Sequence, residues 1–373
     1  MPVPSSMAQS RYQLVVTAPG DVTPAALAAV AEGLSRPVPD VAGAILRAPC
    51  VLVDDLDAET ASALERLLLG LGLEAGITPH ADPVAPPVAL DVAVRVLDVA
   101  CLPEITEGLA AFLGTSPQQA FALLATPPGL VLGGVGEAAV ASLARRLGAG
   151  AEVIAAPRDD GPFDLHLAPG ASLPNRLLPR LGIASASRRE GVLPLGLSHH
   201  EARGLWASLG RTAGVQLVNR ALLRWDLVLT TAAPVDSCHD PVTLDWLSRR
   251  FGIPEALAPR VLTQAPLALA EGWKTPEAEQ ARDEALGVGL DVTLEPAGFS
   301  RAGVVLVTPG EEAALRSVLA RHALSVPARL PAVLAADLAD LEARLLAHEL
   351  ARAGCRTRFI EAASPQEADN DPR

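Results

Sequence analysis

The feature that most constrains the fold is a glycine that recurs where a predicted helix ends and a predicted strand begins. It occurs five times, about 65 to 78 residues apart, as Gly72, Gly150, Gly214, Gly289 and Gly354. The residue after a helix often adopts a left-handed backbone conformation, which costs glycine little. A repeat of this length predicts a chain built from five similar units rather than from one large core.

A short strand-like segment opens each unit. Phe163–Leu167 (FDLHL) and Trp225–Leu229 (WDLVL) match closely, and Tyr12–Val16, Leu90–Val94 and Val304–Val307 follow the same plan. Runs that are rich in branched and aromatic residues and that partly alternate are typical of half-buried strands. Each unit is therefore predicted to begin with a strand and to close with another one after the glycine.

Helical stretches with N-terminal capping signals lie between these two strands. The signals are Thr23-Pro24 and Asp57 in the first unit, Ser116 with Gln119 in the second, Ser198 with Glu201 in the third, and Thr275-Pro276 in the fourth. A serine followed three residues later by glutamate or glutamine is typical of a capping box. The predicted order in each unit is β-α-α-β-α-β, and the middle strand of the fifth unit, near Ala332–Leu334, is predicted to be short.

These signals predict an α+β fold of five tandem modules, each a small sheet covered by helices. Proline-rich segments and short links separate the modules. The predicted ranges are 11–79 for module 1, 88–157 for module 2, 162–222 for module 3, 224–297 for module 4 and 302–362 for module 5, with flexible tails at 1–10 and 363–373. Modules of this size have marginal cores, so neighbours are expected to pack together in a semi-rigid row, as in other repeat arrays.

The module resembles the C-terminal domain of ribosomal protein L7/L12 and the related ClpS-like adaptor fold. The resemblance rests on the aromatic-Asp opening of Phe163-Asp164 and Trp225-Asp226, on the helix hairpin, and on the closing strand after the glycine. It implies a protein-binding role, because L7/L12 recruits translation GTPases and ClpS delivers substrates to a protease. The lysine-rich hairpin of L7/L12 is not matched, since Lys274 is the only lysine of the chain.

Composition limits the classes of partner. The formal net charge is −13 and the arginines are scattered, so the sequence lacks the cation cluster that nucleic-acid binding needs. No apolar stretch approaches the ~20 residues of a membrane-spanning helix, and the first residues do not predict a signal peptide. The four cysteines are far apart and are predicted to be reduced, mostly buried thiols. A cytoplasmic protein without a cofactor is expected.

Several polar groups suggest chemistry, but each has a simpler structural explanation. His199-His200 belongs to the capping box of Ser198 and Glu201, and in Cys238-His239-Asp240 the aspartate is better placed as an N-cap. Asp54-Asp55 and Asp159-Asp160 lack the ligand spacing of a calcium loop and are predicted to lie in turns. Gly133-Gly134-Val135-Gly136 lacks the lysine of a phosphate-binding loop, so a tight turn is predicted. No catalytic, cofactor-binding or metal-binding residue is predicted.

The tryptophans are the best candidates for a binding surface. All four lie in the third and fourth modules, although aromatic residues make up only 3% of the chain; they are Trp206, Trp225, Trp246 and Trp273. Tryptophan is enriched at interface hot spots. The alternative is that they fill the junction between two modules that lack a linker.

The sequence thus predicts a non-catalytic scaffold or adaptor that binds other proteins, with self-association as a further possibility. A structural subunit of a larger bacterial assembly is the expected setting. Two alternatives stay open. One is an enzyme with a site between modules 3 and 4, and the other is a translation or proteolysis accessory factor that keeps the role of L7/L12 or ClpS.

Overall fold

Five separate three-stranded sheets form the framework of the protein. The computed structural model describes residues 11–168, 171, 173–181, 191–209, 212, 214–232 and 239–361. Both predicted tails, 1–10 and 363–373, lie outside these residues. Every sheet is antiparallel, and in every sheet the first strand along the chain lies in the middle.

The described elements alternate strands and helices along the whole chain. The strands are β1 (Tyr12–Ala18), β2 (Cys50–Leu56), β3 (Glu74–Pro79), β4 (Leu90–Val96), β5 (Leu130–Val135), β6 (Ala151–Pro157), β7 (Phe163–Leu167), β8 (Gly191–Leu197), β9 (Val215–Asn219), β10 (Trp225–Leu229), β11 (Leu267–Trp273), β12 (Val292–Pro296), β13 (Arg301–Thr308), β14 (Ala332–Ala339) and β15 (Arg356–Glu361). The helices are α1 (Pro24–Gly33), α2 (Val38–Leu46), α3 (Ala58–Gly70), α4 (Leu102–Leu113), α5 (Pro117–Ala125), α6 (Glu137–Leu147), α7 (His199–Leu209), α8 (Pro241–Phe251), α9 (Ala258–Leu262), α10 (Thr275–Gly287), α11 (Glu312–Arg321) and α12 (Asp340–Arg352).

The five sheets follow the predicted modules closely. Each sheet takes its three strands from one predicted range, except that β13 begins at Arg301, one residue before the predicted start of module 5. The strand orders are β2-β1-β3, β5-β4-β6, β8-β7-β9, β11-β10-β12 and β14-β13-β15. The order β-α-α-β-α-β is found in modules 1, 2 and 4. Module 5 has the single helix α11 between its first two strands, and the described part of module 3 has only a 3₁₀ turn at Pro179–Leu181.

The expectation of a short middle strand in module 5 was wrong. Strand β14 runs from Ala332 to Ala339, and its register on β13 continues beyond a bulge to Ala339. Arg301 on β13 forms an ion pair with Asp337 and so holds the later part of β14 against its neighbour. What module 5 lacks is the second helix of the hairpin, not strand length.

The recurring glycines do adopt the left-handed conformation in four of the five modules. Gly72, Gly214, Gly289 and Gly354 have φ between +73° and +88°. In module 2 the glycine with a positive φ is Gly148, two positions earlier, with φ +68° and ψ −165°. Gly150 is instead required by close packing, because a Cβ there would lie 2.6 Å from the Cβ of Cys101.

The capping signals locate most helix starts correctly. The side chains of Thr23, Asp57 and Asp240 each accept a hydrogen bond from the backbone N–H three residues later. Ser116 and Ser198 form the predicted capping boxes, and the backbone N–H of Ser198 donates to Glu201 Oε2 at 2.8 Å. The expectation for Thr275 was wrong, because α10 is preceded by Lys274 without a side-chain cap.

Each module has its own apolar core between the sheet and the helices. In module 1, Leu14 and Val16 of β1 face the core, together with Val41 and Ile45 of α2. Burying a leucine or isoleucine side chain contributes about 1.5–3 kcal/mol. The chain divides into two compact units, the first containing modules 1, 2 and 5 and the second, Asp160–Ser300, containing modules 3 and 4.

Candidate functional site

Module 2 docks on module 1 through the first turn of α6. The backbone N–H of Gly136, the N-cap residue of α6, donates to the carbonyl of Leu46 at 2.8 Å. Ala138, two residues later, packs against the core of module 1. A Cβ on Gly136 would lie 2.2 Å from the carbonyl oxygen of Ala48, so glycine is required for this close approach.

Two arginines near the end of α6 extend this contact. Arg145 pairs with Glu74 at 3.6 Å, and Arg146 pairs with Asp21 at 3.7 Å. Most of these side chains are exposed, so each pair contributes only ~0–1 kcal/mol. The charges therefore orient the docked helix, whereas Gly136 and the half-buried Ala138 determine how closely it approaches.

Module 5 docks on module 2 through the first turn of α12. Leu341 is only 6% exposed and belongs to the apolar core of module 2, although it is encoded in module 5. The Arg344 guanidinium donates to the carbonyls of Val96 and Leu97 at 3.2–3.3 Å, and Asp340 pairs with the same guanidinium at 3.4 Å. Hydrogen bonds from a charged donor are worth about 1.5–3 kcal/mol, so Arg344 holds the end of β4 firmly.

The two contacts use the same part of the module. Ala138 and Leu341 are each the second residue after the N-cap of the last helix in their module, and each enters the core of another module. Residues 2, 5, 6 and 9 after the N-cap lie on one side of a helix, since they are three or four positions apart. We call this side the docking face. Positions on this face are numbered from the N-cap, so Arg344 is at the fifth position of α12 and Arg145 at the ninth position of α6.

The surface that receives the docked helix is also shared. It consists of the end of the first strand of a module and of the segment before its second strand, and we call it the receiving surface. In module 1 it includes Asp21 and Leu46, and in module 2 it includes Val96, the turn Val99–Cys101 and α5.

Packing between sequence neighbours alone, as in a row, was therefore a wrong expectation for module 5. Arg344 and Val96 are 248 residues apart in sequence and are bonded directly. An apolar residue of α12 completes the core of a module that was encoded much earlier in the chain. The group formed by modules 1, 2 and 5 is thus discontinuous in sequence.

Two of the four tryptophans are used inside module 4. Trp246 is buried, packs edge-on against Phe251 at 5.1 Å and donates from Nε1 to Glu284 at 3.1 Å. This hydrogen bond is the main cause that lowers the pKa of Glu284. Trp273 stacks on Phe251 at 5.7 Å and carries the Arg250 guanidinium over its ring at 4.9 Å. These contacts lie in the core of module 4, not at a junction between modules.

Trp225 and Trp206 have different surroundings. Trp225 is half-buried and donates from Nε1 to the hydroxyl of Thr275 at 2.9 Å, while that hydroxyl donates to the carbonyl of Arg220 at 3.3 Å. Trp225 thus does lie where modules 3 and 4 join, as the alternative predicted. Trp206 on α7 is 53% exposed. It is the one predicted tryptophan of the four that presents most of its surface to solvent.

The aspartate of the strand opening has a structural role that sequence reasoning missed. In three modules it accepts the backbone N–H of a left-handed glycine in a bulge of the second strand. The pairs are Asp91 with Gly134 at 3.0 Å, Asp164 with Gly196 at 3.0 Å, and Asp226 with Gly272 at 2.7 Å. Bulges bend a strand and are retained as features of a fold. A sequence pattern could have predicted this contact: an aspartate is the second residue of the first strand, and a glycine lies near the end of the next strand.

An arginine that follows the third strand completes this arrangement in modules 2 and 3. Arg220 binds Asp164 with two hydrogen bonds of 2.7 Å, and Asp164 is fully buried. Arg158 lies 3.6 Å from Asp91 in the same way. The bond to Asp164 is also the main cause that raises the pKa of Arg220. Both carboxylate oxygens of Asp164 accept hydrogen bonds, so this side chain joins the bulge of β8 to the residue that follows β9.

In module 1 the bulge of the second strand carries an exposed aspartate–histidine hydrogen bond in place of the aspartate–arginine pair. Asp54 and Asp55 lie within β2 at its bulge, not in a turn as predicted, and Asp55 has φ +57°. Asp54 Oδ1 lies 2.5 Å from His80 Nδ1. This hydrogen bond lowers the pKa of Asp54 and raises the pKa of His80.

The remaining polar candidates have mainly structural roles. His199 packs beside Phe163, with ring centroids 5.9 Å apart, and Asp240 caps α8 as predicted, while Cys238 lies outside the described residues. Cys50 and Cys101 are half-buried and Cys355 is buried. Across the described ranges, no three His, Cys, Asp or Glu side chains come together as metal ligands.

A buried histidine in module 3 was not anticipated. His166 lies on β7 two residues after Asp164, and its ring packs edge-on against Phe299 at 4.6 Å. Its Nδ1 is buried without a hydrogen-bond partner, and burial lowers the pKa of the side chain. The neutral imidazole is therefore the form that fits this site.

Comparison of the chain with known protein families, with curated proteins and with solved structures gives no match. The resemblance to the L7/L12 and ClpS-like modules therefore stays a prediction. Among the described helices, none is long and apolar enough to cross a bilayer.

Proposed function

We propose that the chain is a non-catalytic scaffold or adaptor that works by binding proteins, as a structural subunit of a larger bacterial assembly in the cytoplasm. The observation that carries the proposal is the docking of α12 on module 2. There, one module recognises another through a buried leucine, Leu341, and through the bonds of Arg344 to strand-end carbonyls. This contact within the chain supports a protein-binding role for the module.

The second unit offers one of these recognition elements, the arginine, to solvent. Helix α7 of module 3 has Arg203 at the fifth position of its docking face, the position of Arg344 in α12. Arg203 is exposed, and Trp206 lies one turn further along. Arginine and tryptophan are among the residue types that most often dominate binding energy at interfaces. This supports α7 as the protein-binding surface, with Trp206 as the contact that the sequence predicted.

The test is affinity capture with the full-length chain in extract of the source cells, followed by mass spectrometry and light scattering. The wild type is expected to retain a stoichiometric protein partner or to form a homo-oligomer. The variant Arg203→Glu with Trp206→Ala should lose it, whereas Leu286→Asp, which changes an exposed leucine of α10, should keep it. A wild type that stays a monomer without any stoichiometric partner would refute the proposal.

The captured partner also tests the role that the resemblance implies. Ribosomes or a Clp-type ATPase in the eluate would assign the chain to translation or proteolysis. A structural protein in fixed stoichiometry would assign it to an assembly instead.

A further inference from the structure

In the described part of modules 1, 3 and 4, the docking face of the last helix does not enter the core of another module as those of α6 and α12 do. These helices are α3, α7 and α10. The faces of α3 and α10 begin with Glu59 and Pro276, and α10 also carries Asp283. Terminal repeats often carry polar outer faces of this kind, because such a face ends a stack.

The docking face of α7 is different. It begins with His200 and continues with Arg203 at the fifth residue after Ser198, Gly204 at the sixth and Ala207 at the ninth. All four residues are exposed, and a Cβ on Gly204 would meet no atom within 4 Å. Small residues at the sixth and ninth positions leave room for another backbone to approach closely, whereas in α6 the close approach is made by the N-cap residue, Gly136. Trp206, the eighth residue after Ser198, lies beside this face, and its exposed ring supplies apolar area there, whereas His200 occupies the position that Leu341 has in α12.

Module 5 has a receiving surface whose position can be derived from strand register. Ala18 ends β1 opposite Glu74, and Thr308 ends β13 opposite Arg356. The residue three positions later is Asp21 in module 1 and Glu311 in module 5. Asp21 pairs with an arginine of the docked helix α6, and Glu311 is exposed.

The apolar part of this surface is uncovered. Leu330 precedes β14 by two residues, as Ala48 precedes β2. Ala48 is fully buried where α6 docks, whereas Leu330 and its neighbours Val326 and Val333 are 39–55% exposed. Module 5 lacks the second hairpin helix, so a loop presents Val326 and Leu330. Large apolar side chains grouped on a surface mark interaction sites.

We propose that the docking face of α7 in one copy of the chain binds the receiving surface of module 5 in a second copy. Arg203 pairs with Glu311 and with the strand-end carbonyls, and Trp206 covers Leu330 and Val326. The occupant is a second copy because α7 and module 5 complement each other. The exposed Arg203 matches the charge of the exposed Glu311, and the exposed ring of Trp206 matches the exposed apolar side chains of Leu330 and Val326. This inference rests on the proposed function and names the partner.

An interface between two different faces has a defined consequence. Each copy keeps one unused α7 and one unused receiving surface, so association continues head to tail unless the geometry closes a ring. The wild type should therefore grow beyond a dimer as its concentration increases. A self-complementary contact would stop at two copies.

The experiment mixes two full-length variants that are each defective on one side. The first carries Arg203→Glu and Trp206→Ala, and the second carries Glu311→Arg and Leu330→Asp. Each variant alone is expected to stay a monomer, with association weakened about tenfold or more, the loss typical of hot-spot residues. The mixture is expected to form a one-to-one dimer and no larger species, because a single functional pair of faces remains. Sedimentation velocity measures all three samples.

Matched controls exclude unspecific effects of the substitutions. Leu286→Asp and Arg260→Glu change exposed residues of module 4 outside both faces, so they should assemble like the wild type. Circular dichroism confirms that every variant is folded.

Three outcomes would overturn the inference: a monomeric wild type at its highest soluble concentration, single-sided variants that assemble like the wild type, or a mixture without dimer. A monomeric wild type that still captures a stoichiometric partner would leave the proposed function intact while removing this one. A monomer that captures nothing would remove both.

Discussion

Leu341→Ala removes the side chain through which module 5 completes the core of module 2. Leu341 is 6% exposed and belongs to the same apolar cluster as Ile105 and Leu124 of module 2. The substitution removes three carbon atoms, worth about 0.8 kcal/mol each by transfer from water. The cavity that remains adds to this loss, so we expect the free energy of unfolding to fall by about 2–5 kcal/mol.

The distribution of tryptophans provides a sharp assay. All four lie in the second unit, so tryptophan fluorescence follows modules 3 and 4, whereas far-ultraviolet circular dichroism follows every module. In urea titrations of the full chain, Leu341→Ala should shift the transition that circular dichroism detects for the first unit. The fluorescence transition serves as the internal reference. Hydrogen exchange should rise in α5 and in the turn Val99–Cys101, on which α12 lies.

The matched control is Leu67→Ala on α3, a leucine of the same unit that is 56% exposed. Exposed substitutions usually stay within about 0.5 kcal/mol. If Leu341→Ala changed stability as little as Leu67→Ala does, or if exchange rose only within module 5, Leu341 would not hold modules 2 and 5 together.

Three further predictions follow from the same kinds of contact. Gly136→Ala places a Cβ 2.2 Å from the Ala48 carbonyl oxygen and should cost about 1–3 kcal/mol in urea unfolding, whereas Gly33→Ala, which meets no atom within 4 Å, should be neutral or slightly stabilising. Asp164→Ala leaves Arg220 without its buried partner and should lower the free energy of unfolding by about 3–5 kcal/mol. Asp91→Ala should lower it clearly less, because its partner Arg158 is more exposed. Equal losses in the two variants would contradict a special stabilising role of the buried Asp164. For His166, burial lowers the pKa in the folded protein, so the unfolded chain binds more protons below about pH 6.5, and the free energy of unfolding should decrease as the pH is lowered through that window. His166→Leu should flatten this part of the pH profile of urea unfolding, and an unchanged slope would exclude His166 as its cause.

The local signals in the sequence located most elements correctly because their causes are local. Asp57, Ser116 and Asp240 cap helices through bonds to backbone groups three residues away, which a sequence pattern displays directly. The glycine after the last helix is favoured by the same kind of short-range backbone preference. Thr275 shows the limit, since its hydroxyl is engaged by Trp225 and the signal for a cap was overridden.

The candidate site was predictable only in part. All four tryptophans were candidates for a binding surface. Trp246 and Trp273 belong to the core of module 4, whereas the role of the exposed Trp206 in binding stays a prediction. Composition and spacing do not separate these roles, because a tryptophan stabilises a core and an interface by burying the same apolar area.

The sequence by itself determined that the chain consists of repeated strand–helix modules, because alternation, caps and turn glycines act over a few residues. Tertiary structure alone decided that the second strand would bulge over an aspartate and that module 5 would complete the core of module 2. Those outcomes depend on complementary surfaces that meet only after folding, such as Arg344 with the carbonyls of Val96 and Leu97. Backbone carbonyls are present at every residue, so no sequence pattern distinguishes the two that a distant arginine will bind.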